Sequence, residues 1–193
     1  MWSKEQNEKV VYLTFDDGPT PQITDWVLQQ LQQYNAKATF FCIGKNVEEQ
    51  PEIFERILKS GNDIGNHTQN HVNGWRSSTK DYLDNITECE IAIGNLTNQE
   101  HKYFRPPYGK ITPRQATAVL QKGYKIIMWD VLSADFDQTI TPEECLDNVL
   151  KNLKPGSIII FHDSEKAWKN LKHALPKVLQ FLKGNNFECK LLY

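Results

Sequence analysis

Residues 14 to 20 read TFDDGPT and follow the apolar run VVYL, so two adjacent aspartates, Asp16 and Asp17, stand where a buried strand ends. Adjacent like charges repel, and carboxylates are seldom buried unless paired or bound, so a cation is expected beside them. The segment GNHTQNH spaces His67 and His71 four apart. A single helical turn there would point both imidazoles to one side, able to grip one metal ion. Two exposed histidines reach the same spacing by chance. A carboxylate on the same face shifts the balance, because two histidines and one carboxylate with open positions make a reactive metal site, and Asp17 could supply it. Asp16 would then stand beside the ion, placed to accept a proton from a water whose pKa the ion lowers.

Several elements must bring these groups together. Short apolar or β-branched runs recur in VVYLTF (10 to 15), ATFFCIG (38 to 44), DIGN (63 to 66), YFR (103 to 105), KIIMWDV (125 to 131) and SIIIFH (157 to 162), with segments of helical period between most of them. Thr20-Pro21, Thr112-Pro113 and Thr141-Pro142 read as helix starts, the last with Glu144 as a capping box, and Gly61, Gly123 and Gly184 as helix ends. Strands this apolar, alternating with helices, predict an α/β fold with parallel strands covered by helices, either a barrel or a doubly wound sheet. In both, groups at the C-terminal ends of the strands converge on one face. Asp16, Asp17, His67, Arg105, Asp130, Asp135, His162 and Asp163 all fall there.

TFDDGP at 14 to 19, HTQNH at 67 to 71, RPPYG at 105 to 109 and FHD at 161 to 163 resemble, in order, the motifs of the polysaccharide deacetylase family, the NodB-homology or carbohydrate esterase family 4 domain. The resemblance implies a distorted (β/α) barrel with fewer than eight parallel strands, in one domain over residues 1 to 193. It also implies a metal-dependent hydrolase that removes N-acetyl groups from a chitooligosaccharide or a peptidoglycan-type amino sugar. By the resemblance Asp17, His67 and His71 bind a divalent metal, Zn2+ first, with Co2+, Ni2+, Fe2+ or Mn2+ as other occupants. Asp16 is the base, oriented by Arg105, and His162 is the acid. The Tyr108 N–H, on a loop stiffened by Pro106 and Pro107, serves the oxyanion, with Pro106 and Tyr108 beside the substrate. Ile160 cradles the acetyl methyl. Asp135 in WDVLSADFD supports His162, with Asp130 as the alternative. This stretch departs from the family, which usually has an aspartate near Leu132 and a tryptophan near Phe136. Trp75 in NGWRS and Trp168 in EKAWKN are candidate sugar platforms, or aromatics that merely cover the barrel. His101 and His173 match no motif and are expected at the surface.

A net charge of -2 over 193 residues lacks the basic excess of a nucleic-acid binder. MWSKEQNEK has no signal-peptide core, and no run approaches the roughly 18 apolar residues of a membrane span, so a cytoplasmic protein is expected as the chain stands, or a secreted or cell-envelope one if it comes from a longer precursor. Cys89 and Cys145 fall in apolar stripes, so the four cysteines read as core thiols rather than disulfides. The rival readings are an O-acetyl esterase, a deacylase of a small amide, a catalytically inactive sugar-binding module, and a non-haem iron oxygenase. The last would need mostly strands without the intervening helices.

Overall fold

The computed structural model describes residues 1–3, 8–97 and 102–192. The chain runs β1 (Val10–Asp16), α1 (Ile23–Gln33), β2 (Ala38–Cys42), α2 (Gly44–Glu49), α3 (Pro51–Lys59), β3 (Asp63–Asn66), α4 (Thr79–Gly94), β4 (Tyr103–Phe104), α5 (Pro113–Gln121), β5 (Lys125–Ile126), β6 (Val131–Leu132), α6 (Pro142–Leu150), β7 (Ile158–His162), α7 (Trp168–Gly184) and β8 (Glu188–Cys189). Seven parallel strands form one curled sheet in the order β5-β4-β3-β2-β1-β7-β6, and β8 joins off this path, parallel to the first two residues of β1. This is the expected distorted (β/α) barrel. The intervening helices and parallel pairing exclude the double-stranded β-helix that an oxygenase would need.

The two-residue period of β1 explains how the barrel carries chemistry. Val11, Leu13 and Phe15 face the helices, where Phe15 stacks on Phe40 and Phe161 at 5.1 and 6.1 Å. Val10 and Tyr12 belong instead to the inner cluster, with Phe41, Tyr103, Ile127 and Ile158. The same inner row continues to Thr14 and Asp16, which are buried at the C-terminal end. β7 repeats the pattern, with Ile158, Ile160 and His162 paired to Tyr12, Thr14 and Asp16. An apolar floor therefore gives way to polar groups at one mouth. Gly65 of β3 makes room beneath it, since a Cβ there would lie 2.5 Å from the Phe41 ring.

Some sequence expectations need correction. The run at 125 to 131 is two short strands, because the backbone leaves the ladder between them and Met128 N–H donates to Met1 O at 2.6 Å. β8 carries no apolar run that would announce it. Thr20 does not cap α1: that helix starts at Ile23 behind Gln22, while Thr24 Oγ1 accepts from Thr20 N–H at 2.7 Å. Thr112 and Thr141 do cap α5 and α6, each in a full capping box. All four cysteines are free thiols, three of them buried. His173 is half-buried on α7 against Glu143 at 3.1 Å, and His101 lies outside the described residues. Among the described residues no helix is long and apolar enough to cross a membrane.

Candidate metal and acid–base site

Asp17, His67 and His71 each offer a ligand atom, and these atoms lie within 4.8 Å of one another. Asp17 Oδ1 is 3.7 Å from His67 Nε2 and 3.3 Å from His71 Nε2, and it is a buried oxygen with no hydrogen-bond partner. A buried carboxylate oxygen left without a donor costs free energy unless a cation takes that place. His67 Nδ1 lies 2.8 Å from the Arg105 carbonyl, so the proton belongs on Nδ1 and the lone pair of Nε2 turns to Asp17. Burial, and then the neighbouring His71, push the His67 pKa down to about 3, while burial also lowers that of His71. Both rings are therefore neutral donors near pH 7. The donor set fits a divalent cation.

No helical turn joins the two histidines, contrary to the spacing argument. Residues 67 to 73 form a loop pinned to α4 by Gln69 N–H to Asn85 O (3.0 Å) and Asn70 N–H to Asn85 Oδ1 (2.9 Å). Thr68 and His71 adopt φ of 64° and 54°, as do Asp17 (82°) and Tyr108 (60°). Left-handed backbone at non-glycine residues costs of order 1–3 kcal/mol each, and these four of the eight described cases gather at one mouth. Asp17 is held by Asn46 Nδ2 to its carbonyl (2.7 Å), while Gly18 N–H reaches the buried Asp163 carboxylate (3.1 Å).

Arg105 is wholly buried, and its guanidinium is spent on orientation. Nη1 donates to Asp16 Oδ1 and Thr14 Oγ1, both at 2.7 Å, Nη2 to Met128 O at 2.9 Å and Nε to Ile127 O at 3.1 Å. The Phe41 ring lies 4.1 Å beneath it. Asp16 thus keeps Oδ2 available, 3.7 Å from His67 Nε2.

On the neighbouring strand β7, His162 Nδ1 meets Asp135 Oδ1 at 2.7 Å, and Asp135 Oδ2 accepts the His162 N–H at 2.7 Å. Burial opposes the imidazolium, but the Asp135 charge and hydrogen bond outweigh it and carry the His162 pKa up to about 9, with Asp17 and Asp16 adding to the rise. Asp130 is committed elsewhere, to Ser157 Oγ and the Ile158 N–H. Asn170 of α7, which no motif marks, fixes the Asp135 loop by donating to the carbonyls of Asp135 and Asp137 at 3.0 Å.

These groups open into a cavity of about 540 Å³. Asp16, Asp17, His67, His71 and His162 form its polar end, with Ile160, Trp129, Leu132 and Phe136 as apolar wall and Lys110 and Lys166 at the rim. Leu132 and Phe136 stand where the sequence departs from the family pattern, whereas no motif marks Trp129, Lys110 or Lys166. Tyr108 lines the cavity, is 60% exposed and sets its ring 4.6 Å from that of His71. No group among the described residues accepts its N–H. Pro106 is buried behind the loop and does not line the cavity. Nor does Trp168, whose indole packs edge-on to Trp26 at 5.0 Å against the helical side of the core. Trp75 lies just outside, beside Lys110.

Residues 3–127 match the family described as Polysaccharide deacetylase. A peptidoglycan-N-acetylglucosamine deacetylase of Bacillus cereus is 36% identical over 94% of this chain, which spans 66% of that relative's length. A chitooligosaccharide deacetylase of Azorhizobium caulinodans is 33% identical over 82% of this chain and 75% of its own. The solved Bc1960 peptidoglycan N-acetylglucosamine deacetylase superposes with a TM-score of 0.93 at 34% identity, over 99% of this chain and 89% of that one. With matching motifs, fold and relatives, the chain belongs to the polysaccharide deacetylase family, carbohydrate esterase family 4, and is a hydrolase of that type.

Proposed function

We propose that this protein removes N-acetyl groups from an amino sugar in a chitooligosaccharide or peptidoglycan-type glycan, releasing acetate and leaving a free amine. The observation that carries this reading is the placement of one oriented carboxylate, Asp16, and one oriented imidazole, His162, side by side on neighbouring strands in a cavity that the Asp17, His67 and His71 donors also line. Zn2+ suits those donors best, with Co2+, Ni2+, Fe2+ and Mn2+ of related preference. When bound, the cation supplies Lewis acidity, polarising the acetamide carbonyl and acidifying water.

The chain's own residues do the rest. Asp16, fixed through Oδ1 by Arg105, accepts through Oδ2 the proton of the attacking water. The Tyr108 N–H points its unspent donor at the oxyanion that forms. His162, protonated through Asp135, gives its Nε2 proton to the nitrogen as the carbon–nitrogen bond breaks. Ile160, 1% exposed in the cavity wall, seats the acetyl methyl. A binding module would need neither the Arg105 nor the Asp135 support.

Acetate release from N-acetylated chitooligosaccharides by zinc-loaded protein, with Asp16→Asn as control, tests the reading. Release by the native protein alone supports it. Release from O-acetylated but not N-acetylated sugars would reassign the chain as an esterase.

A further inference from the structure

Asp163 follows His162 at the end of β7 and has no part in the chemistry assigned above, yet it is wholly buried. Strand alternation explains where it points. His162 turns into the barrel, so Asp163 turns out with Phe161, toward the helices and beneath the loop that carries Asp17. Its Oδ1 accepts the Gly18 N–H at 3.1 Å, and its Oδ2 accepts the hydroxyl of Thr24, a buried residue of α1, at 2.5 Å. Thr24 Oγ1 in turn accepts the Thr20 N–H at 2.7 Å. A Cβ on Gly18 would overlap the Asp163 carboxyl, so the glycine is what lets the two groups close on each other.

The backbone from Asp16 to Thr20 is thereby fastened along its length. Asp16 O accepts the Asp163 N–H, Asp17 O accepts from Asn46 Nδ2, and Gly18 O accepts the Ile43 N–H. Asp17 sits inside this stretch at φ 82°, with Oδ1 turned to His67 and His71. Left-handed backbone persists at a non-glycine residue only where the surroundings over-determine it. Among the described residues, both side-chain partners of Asp163 belong to this loop or to the helix that follows it. Burying a carboxyl is costly, and what these bonds achieve is to fix where Asp17 stands.

We propose that Asp163 and Thr24 are positioning residues for the metal centre: they set the loop at 16 to 20 and, through it, the Asp17 carboxylate against His67 and His71. The inference rests on the reading of those three residues as the ligands. It makes zinc affinity depend on α1, a helix that contributes no residue to the cavity.

The test reads the zinc Kd of the whole chain by competition with a chromophoric chelator, beside the Tm of the zinc-free protein. Asp163→Ala is expected to weaken zinc by about 10–100-fold, the range for losing an outer support of a metal ligand. The nearly isosteric Thr24→Val is expected to weaken it by about threefold to tenfold, the worth of one hydrogen bond, with Thr24→Ser restoring native affinity. The two residues act through one link, so Asp163→Ala combined with Thr24→Val should cost no more zinc affinity than Asp163→Ala alone. Leu179→Ala, which opens the core on α7 and leaves the cavity lining intact, is the control for lost stability: its Tm should fall while its Kd stays native. If Asp163→Ala does not fold, Asp163→Asn replaces it, since one amide oxygen cannot accept from both Gly18 and Thr24, and about threefold to tenfold weaker zinc is then expected. Native zinc affinity in the Asp163 and Thr24→Val variants would overturn the proposal. So would an equal loss in Leu179→Ala, or additive losses in the double variant. A native protein that binds no zinc would refute the ligand set itself, a result distinct from native-like binding in the variants.

Discussion

Asp16 and His162 are Cα partners across the β1–β7 ladder, and each leans on its own buried support, Arg105 Nη1 and Asp135 Oδ1, both at 2.7 Å. Neighbouring strands lie roughly 5 Å apart, so one amide fits between a fixed proton acceptor and a fixed proton donor. Opposite charges at this range would otherwise pair and cancel. The two supports hold them apart in function, one strand supplying the base and the next the acid.

Arg105→Met is expected to leave the Asp16 carboxylate buried without its partner and to lower unfolding free energy by about 3–5 kcal/mol in urea titration. Arg105→Lys should recover less than half of it. A single ammonium cannot span Thr14, Asp16, Ile127 and Met128 in the fork geometry of a guanidinium. A loss under about 1 kcal/mol for Arg105→Met would contradict the role assigned to this residue.

Asp135→Asn keeps the side chain's size and removes the charge that lifts His162 to about 9. The acid must be protonated to act, so the alkaline limb of kcat is expected to move to lower pH in the variant. Folding stability carries the same sign. A histidine raised above its ordinary value stabilises the fold fully below about pH 6.5, and that contribution is lost as pH rises through about 9. The gap in Tm between native protein and Asp135→Asn should therefore narrow between pH 6 and pH 10. An alkaline limb that does not move would remove His162 from the acid role.

Zinc at about 100 times its Kd is expected to stabilise the native fold by roughly 2.7 kcal/mol, through binding to the folded state alone. His71→Ala removes a half-buried ligand without opening the core, and should abolish most of that thermal shift while leaving the zinc-free Tm nearly unchanged. Chelation of the native protein should return it to the variant's Tm. A full zinc shift in His71→Ala would place the ion elsewhere.

The strand ends were legible in the sequence because apolar runs stop abruptly at charged residues. VVYLTF ends at Asp16 and SIIIFH at His162, and residues that would be costly to bury had to be functional there. The capping hydroxyls of Thr112 and Thr141 were equally legible, being local chemistry. Long-range placement was not. Trp75 and Trp168 look alike in sequence, each in a polar stretch, yet one is exposed on a hydrogen-bonded frame and the other packs on Trp26. The loop that joins His67 to His71 takes its shape from Asn85 on α4 and from left-handed backbone, neither visible in a four-residue spacing. β8 has two residues and exists because β1 leaves an edge for it.

The division of labour between the adjacent aspartates is the central claim, and the metal content and turnover of Asp16→Asn and Asp17→Asn, measured side by side, test it most directly. Asp16→Asn should retain close to one zinc per chain and lose about 10²–10⁴-fold in kcat, the contribution typical of a general base. Asp17→Asn should lose the metal, and its activity with it. Equal zinc loss in the two variants, or zinc-replete Asp16→Asn protein with native turnover, would contradict the account.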